Sequence, residues 1–190
     1  MHDSDPFIIA LNNKQDTAWE KLYEEFYAAL CAYAAKLTQD DTGVEDLVQE
    51  CIIGLWNSSL TFPNIKALAS WLYRSVYTRS LNLIRDRKNS RRIMDHYQTE
   101  INTPDEAAID LAIEEAAIAK LRQTLSTLSP QQSQIISMSL EGMKISEIAQ
   151  QLGVSENTVK MQKKRAYNLI REHLGTIWAT LLLTFFSDFF

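Results

Sequence analysis

Residues Leu128 to Leu174 read LSPQQSQIISMSLEGMKISEIAQQLGVSENTVKMQKKRAYNLIREHL. The spacing predicts a helix, a short break, a second helix, a glycine turn and a third helix with a basic face. Ser129 is suited to cap the first helix, Pro130 to open it and Gln132 to complete a capping box. Gly142 stands where that helix should stop. Ile145, Ile148, Ala149 and Leu152 recur at i, i+3, i+4 and i+7, one apolar helical face. Gly153 permits the left-handed backbone of a tight turn, and Val154 can fill the angle between helices. Ser155 is a good N-cap for the next helix, in which Val159, Ala166 and Leu169 point one way.

That layout is a helix-turn-helix. Ser155, Glu156, Asn157 and Thr158 stand at the N-terminus of its third helix, where short polar groups can reach base edges in a major groove. Lys160, Met161, Lys163, Lys164 and Arg165 follow, and cations there neutralise phosphate. The blander reading is a three-helix packing unit with a solvated basic face. The Gly153-Val154-Ser155 turn, correctly spaced between two amphipathic helices, favours DNA binding.

The chain of 190 residues has room for one or two domains, and 5 Gly and 4 Pro favour helices over a turn-rich β fold. No run alternates apolar and polar residues as a strand would. Cys31 and Cys51 lie within helical patterns and read as buried thiols rather than metal or redox groups. His2, His96 and His173 are scattered, so neither a metal site nor a cofactor is expected. The N-terminus lacks the basic-then-apolar pattern of a signal peptide, and a cytoplasmic location is the default expectation. The net charge of −5 looks wrong for a DNA binder, but its distribution resolves the conflict. Leu68 to Asp95 holds seven Lys/Arg against two Asp, while Thr38 to Glu50 holds five acidic residues and Glu100 to Glu115 six, neither with a base. Local fields, not the total, steer partners.

In the N-terminal half, Trp19, Leu22, Tyr23, Phe26, Tyr27, Leu30, Tyr33 and Ala34 recur at helical spacing and read as an aromatic-rich core helix. Thr42 to Glu45 resembles a capping box. Val44, Leu47, Val48, Cys51, Ile52 and Leu55 then form a regular apolar stripe. Another side of the same helix carries Asp46, Gln49, Glu50 and Ile53, an acidic face with an apolar centre. By periodicity alone this is a solvated face; it would also suit a basic partner. From about Ile65 to Arg87, Trp71, Leu72, Val76, Leu83 and Ile84 can face a core, while Arg74, Thr78, Asn82 and Arg85 share a polar side. Arg87, Lys88, Arg91 and Arg92 extend the positive charge, with Trp71, Tyr73 and Tyr77 interleaved. Cations mixed with aromatics suit single-stranded nucleic acid; a basic helix with core aromatics is the alternative.

Together these segments resemble the extracytoplasmic function (ECF) group of sigma factors within the sigma-70 class. The residues that carry the resemblance are Val44 to Glu50 (VEDLVQE) through Leu55-Trp56, Ser70 to Arg74 (SWLYR), Leu128-Ser129-Pro130, and Gly153-Val154-Ser155 with Thr158-Val159-Lys160 and Arg165-Ala166. The resemblance implies an all-α fold: two small helical domains joined by an acidic linker, the C-terminal one a helix-turn-helix domain. It implies a region 2-like domain over 1–97, the acidic linker and the start of the next helix over 98–120, a region 4-like domain over 121–175 and an apolar tail over 176–190. It further implies a non-enzymatic factor that binds core RNA polymerase and directs promoter recognition, DNA melting and transcription initiation. Asp46, Gln49, Glu50, Ile53 and Trp56 match the surface that docks on the clamp helices of the largest subunit. Arg74, Thr78, Asn82, Arg85, Arg87 and Lys88 fall where the family holds the opened −10 element. The helix-turn-helix would read the −35 element as duplex, with the flap of the second-largest subunit as a further contact. Thr78 and Asn82 depart from the Asn and Asp usual there, which puts the −10 base preference in doubt. Lys144 replaces the usual Ser or Thr cap, so a weaker helix start is expected.

The tail from Thr176 to Phe190 has ten apolar residues in fifteen and no Lys or Arg. It is too short to span a membrane. It reads as an extra helix packed on the helix-turn-helix core, or as a docking strip for an anti-sigma factor; without a basic flank, membrane-surface contact fits least. Two rival readings of the whole chain are a helix-turn-helix regulator independent of polymerase and a pure interaction module. The first leaves the acidic helix and Trp71 to Arg92 unexplained; the second does not need the basic face from Lys160 to Arg165.

Overall fold

Among the residues described by a computed structural model, 5–91 and 105–186, there are eight helices and no strand. The chain divides into two compact units, Met1–Ala116 and Ala117–Phe190. The first holds α1 (Pro6–Asn12), α2 (Asp16–Thr38), α3 (Val44–Asn57), α4 (Ile65–Arg91) and the first part of α5 (Glu106–Ser126). The second holds the rest of α5 with α6 (Pro130–Leu140), α7 (Ile145–Leu152) and α8 (Glu156–Phe186). No helix among the described residues is long and apolar enough to cross a membrane. Arg92, the start of the expected linker up to residue 104 and the last four residues of the tail lie outside the described residues, as do the side chains of Lys88 and Arg91.

In the first unit α2 packs against α3 and α4, and α3 against α4. The apolar stripe of α3 is buried as its spacing predicts, with Val44, Leu47, Val48, Cys51, Ile52 and Leu55 all in the core. Burying side chains of this size contributes roughly 1.5–3 kcal/mol each. Burial pushes the Cys51 thiol pKa up and, more partially, that of half-buried Cys31.

Three local expectations need correction. The core stripe of α2 is Ala18, Leu22, Phe26, Leu30 and Ala34, and Trp19, Tyr23, Tyr27 and Tyr33 lie beside it rather than in it. Tyr23 is exposed and stacks on Tyr27 at 4.5 Å between ring centroids. The stripe of α4 is Leu68, Ala69, Leu72, Tyr73, Val76 and Ser80. Tyr73 is fully buried with its ring 5.0 Å from that of Tyr33, so it cannot stack on a base. Trp71 is half-buried instead. The capping box expected at Thr42 does not form either. Gly43 is the N-cap of α3, in the left-handed region, and makes no side-chain cap. Asp40 accepts from both the amide and the hydroxyl of Thr42, which consumes the side chain a box would need.

In the second unit the box at α6 does form: Ser129 Oγ accepts from the Gln132 amide at 3.3 Å, and Gln132 Oε1 from the Ser129 amide at 2.9 Å. Lys144 caps α7 without a side-chain bond, as expected, but Glu147 compensates by accepting the Lys144 amide at 2.7 Å. The turn at Gly153 needs φ 65°, a conformation that costs a residue with a Cβ. Ile135, Ile148, Ala149 and Val159 form one core cluster, with Ile145, Leu152 and Val154 packed against it. Leu128, Ile136 and Ala166 form a second, joined by Leu169 and Ile170.

The helix that follows the turn breaks at Gly175 (φ 70°, ψ 164°), giving α8 two arms, 156–174 and 176–186. In the second arm Ile177, Trp178 and Leu181 are buried to within 1% of complete exclusion. Of the three readings of the tail, this burial favours a packed helix as far as residue 186.

Candidate functional site

The face of α3 opposite its core stripe carries Asp46, Gln49, Glu50, Ile53 and Trp56, all exposed. Ile53 is 57% and Trp56 39% exposed, which is costly for large apolar groups without a partner. Trp56 is braced edge-on by Trp19 of α2 at 4.9 Å. Gln49 lies close to the Tyr27 phenol. Lys14 donates to the Trp56 and Ser58 carbonyls at 2.7 and 2.9 Å, a cation at the end of α3 where the helix dipole favours one. These supports fix an acidic rim around an apolar centre.

On α4, Trp71, Arg74, Ser75, Thr78 and Arg79 line a shallow groove of about 270 Å³. Thr78 is already engaged, its hydroxyl donating to the Arg74 carbonyl at 3.0 Å. Asn82 is half-buried beyond the groove and Arg85 is exposed, 3.5 Å from Asp86. Arg87 points elsewhere: it pairs with Asp40 at 3.0 Å and donates to the Thr42 carbonyl, holding the turn before α3. The side chain of Lys88 lies outside the described residues. The structure therefore brings Arg74 and Thr78 together and sets Arg87 apart.

Acidic residues surround this helix. Glu106 and Asp110 of α5 pair with Arg74 and Lys66 at 3.6 and 2.9 Å, and Glu115 pairs with Lys36 at 2.7 Å. Residues 106–116, within the stretch read as the acidic linker and the start of the next helix, are helical and grouped with the first unit. Arg79 pairs with Glu50 of α3 at 2.9 Å. Sequence reading missed Arg79, Lys14 and the role of Arg87. Each acts across 29 to 47 positions of chain, and periodicity along one helix carries no signal of that.

In the second unit the first arm of α8 is capped by Ser155, whose Oγ accepts from the Thr158 amide at 3.1 Å and lies 2.9 Å from its hydroxyl. Both hydroxyls belong to the cap. Glu156, Asn157, Lys160, Met161, Lys164 and Arg165 are exposed. Lys160 reaches Glu156 at 3.8 Å, and Lys163 sits 5.8 Å over the Tyr167 ring. Among the described residues Lys164 and Arg165 have no ion pair, and Gln162 is tied back to Gln132 at 3.4 Å. The arm presents a polar tip followed by unneutralised cations, the arrangement a duplex backbone attracts. Among the described residues no cluster of His, Cys, Asp and Glu is placed to hold a metal.

The chain matches the family model for sigma-70 region 2 over residues 22–90 and that for sigma-70 region 4 over residues 118–170. It is similar to the ECF RNA polymerase sigma factor SigL of Mycobacterium tuberculosis, 31% identical over 168 residues, covering 84% of this chain and 90% of that protein. It is also similar to SigM of the same organism (25% identical; 90% of this chain, 85% of that one) and to SigX of Bacillus subtilis (23%; 88% and 89%).

Proposed function

Since the chain belongs to the ECF group of RNA polymerase sigma factors, we propose that its three surfaces divide promoter work among three contacts. It is a promoter-recognition factor that interacts with core RNA polymerase and promoter DNA. In our reading, residues 1–97 dock the polymerase and hold the opened −10 element. Residues 121–175 grip the −35 duplex, 98–120 supply the linker and the start of the helix that leads to it, and 176–186 serve as the packed end of the second unit.

Asp46, Gln49, Glu50, Ile53 and Trp56 dock on the clamp helices of the largest subunit. One observation carries this assignment: all five face solvent on one side of a helix whose other side is wholly core. An amphipathic surface helix needs only polar groups outside, so Ile53 and Trp56 there call for a partner. Arg74, Thr78, Asn82 and Arg85 face the melted −10 strand, with Lys88 beyond them, while Arg87 supports the docking helix. The polar tip and cations from Ser155 to Arg165 enter the −35 major groove, with the flap of the second-largest subunit against the same unit. An anti-sigma factor would compete for exposed Ile53 and Trp56. The chain supplies binding and strand separation, and the polymerase supplies the chemistry, in the bacterial cytoplasm.

Reversing charge with Asp46→Lys and Glu50→Lys tests the docking face. Affinity for core polymerase, measured by surface capture, should fall at least ten-fold while −35 duplex binding by the free chain is retained. Unchanged capture would sink the docking assignment.

A further inference from the structure

Arg79 occupies an unusual position between the two surfaces of the first unit. Its side chain lines the α4 groove with Arg74 and Thr78. Its guanidinium nevertheless reaches α3, where Nη1 meets Glu50 Oε2 at 2.9 Å. The guanidinium lies beside Gly54, one turn beyond Glu50, where a Cβ would stand in ordinary contact at 3.7 Å from Arg79 Nη2. Both partners are half-exposed, with 41% of the Arg79 side chain and 67% of the Glu50 side chain open to water. Such a half-exposed pair is weak and exchangeable.

We propose that Arg79 is a further DNA-binding residue of the α4 groove, held in reserve by Glu50 and released when core polymerase claims that carboxylate. The inference rests on the reading of α3 as the docking helix and α4 as the −10 helix. A cation on the polymerase would compete with Arg79 for the Glu50 carboxylate and weaken its hold on the guanidinium. Once Glu50 turns to the polymerase, Arg79 has an uncompensated charge beside the groove, and a strand phosphate is the natural replacement. Docking and strand binding are then coupled through a two-position side chain, with no rearrangement of the helices. The coupling is reciprocal: a strand that captures Arg79 leaves Glu50 freer to bind polymerase.

The competition predicts opposite signs for one substitution. Arg79→Gln should tighten binding of the full chain to core polymerase, about two- to five-fold, because Glu50 no longer has an internal partner. In holoenzyme saturated with core, the same variant should bind DNA opened over the −10 element several-fold more weakly, its salt slope lower by about 0.7 for one lost phosphate. Arg74→Gln, measured beside it, separates the layers. If Arg74→Gln weakens opened DNA and Arg79→Gln does not, the inference falls and the −10 reading stands. If neither changes opened-DNA binding, both fall. If Arg79→Gln weakens polymerase capture, Arg79 positions Glu50 for docking and the competition is wrong.

Discussion

The two basic helices use their cations in opposite ways. Every Lys and Arg on α4 from Lys66 to Arg87 has a carboxylate partner: Asp110, Glu106, Glu50, Asp86 and Asp40 in turn. On the first arm of α8, Lys164 and Arg165 are exposed with no ion pair among the described residues. A phosphate arriving at α8 meets free charge. A phosphate arriving at α4 must displace a carboxylate, so the exchange gains little. Counting Lys and Arg therefore overstates what α4 offers DNA until another partner takes its acids. The difference suits two tasks: a duplex available at all times, and a melted strand that should be held only in the assembled complex.

The largest expected effect concerns what stands behind the α8 face. Trp178 in its second arm is 1% exposed. Trp178→Ala should destabilise the protein by about 3–5 kcal/mol, read by thermal melting. A melting curve unchanged by it, or by deletion of 176–190, would return the tail to the docking reading. The next effect tests the free charge directly. Lys164→Ala with Arg165→Ala should lower the salt slope of −35 duplex binding by about two units. Arg74→Ala with Arg85→Ala in the free chain should change duplex binding far less, and an equal loss would erase the contrast. A smaller effect tests whether α4 spends a cation on scaffolding. Arg87→Ala removes a charged contact to Asp40 and a cap on the Thr42 carbonyl. Stability should drop by about 1 kcal/mol in urea unfolding, with opened-DNA affinity little changed in saturated holoenzyme. The smallest concerns Tyr73, whose hydroxyl is buried with no hydrogen-bond partner among the described residues. Tyr73→Phe should be neutral or stabilising by up to about 1 kcal/mol, and a loss of DNA affinity with it would restore Tyr73 to the interface.

What was legible in the sequence follows a physical division. Periodicity reports which side of a helix is wet, so the α3 stripe from Val44 to Leu55 and the exposed Asp46 to Trp56 face were readable. Local chemistry reports helix ends, so the Ser129 box and the Gly153 turn were readable too. Tyr73 stays open at the level of sequence because an aromatic beside arginines suits a core and a stacking platform equally; only the rings around it decide, and they place it in the core. Tyr23 and Trp19 read as core residues because α2 has apolar groups over a wider arc than one helix can bury. The partners of α4 were invisible because each is set by tertiary approach. The pairs Arg79–Glu50 and Arg87–Asp40 join helices or turns far apart in the chain.

Transcription with core polymerase over a promoter library most directly tests the account that α3 brings the factor to polymerase while α4 and α8 choose the DNA. The account predicts discrete start sites with the natural chain and none above background with Asp46→Lys and Glu50→Lys together, although that variant still binds −35 duplex. Start sites at undiminished yield with the charge-reversed chain would contradict it.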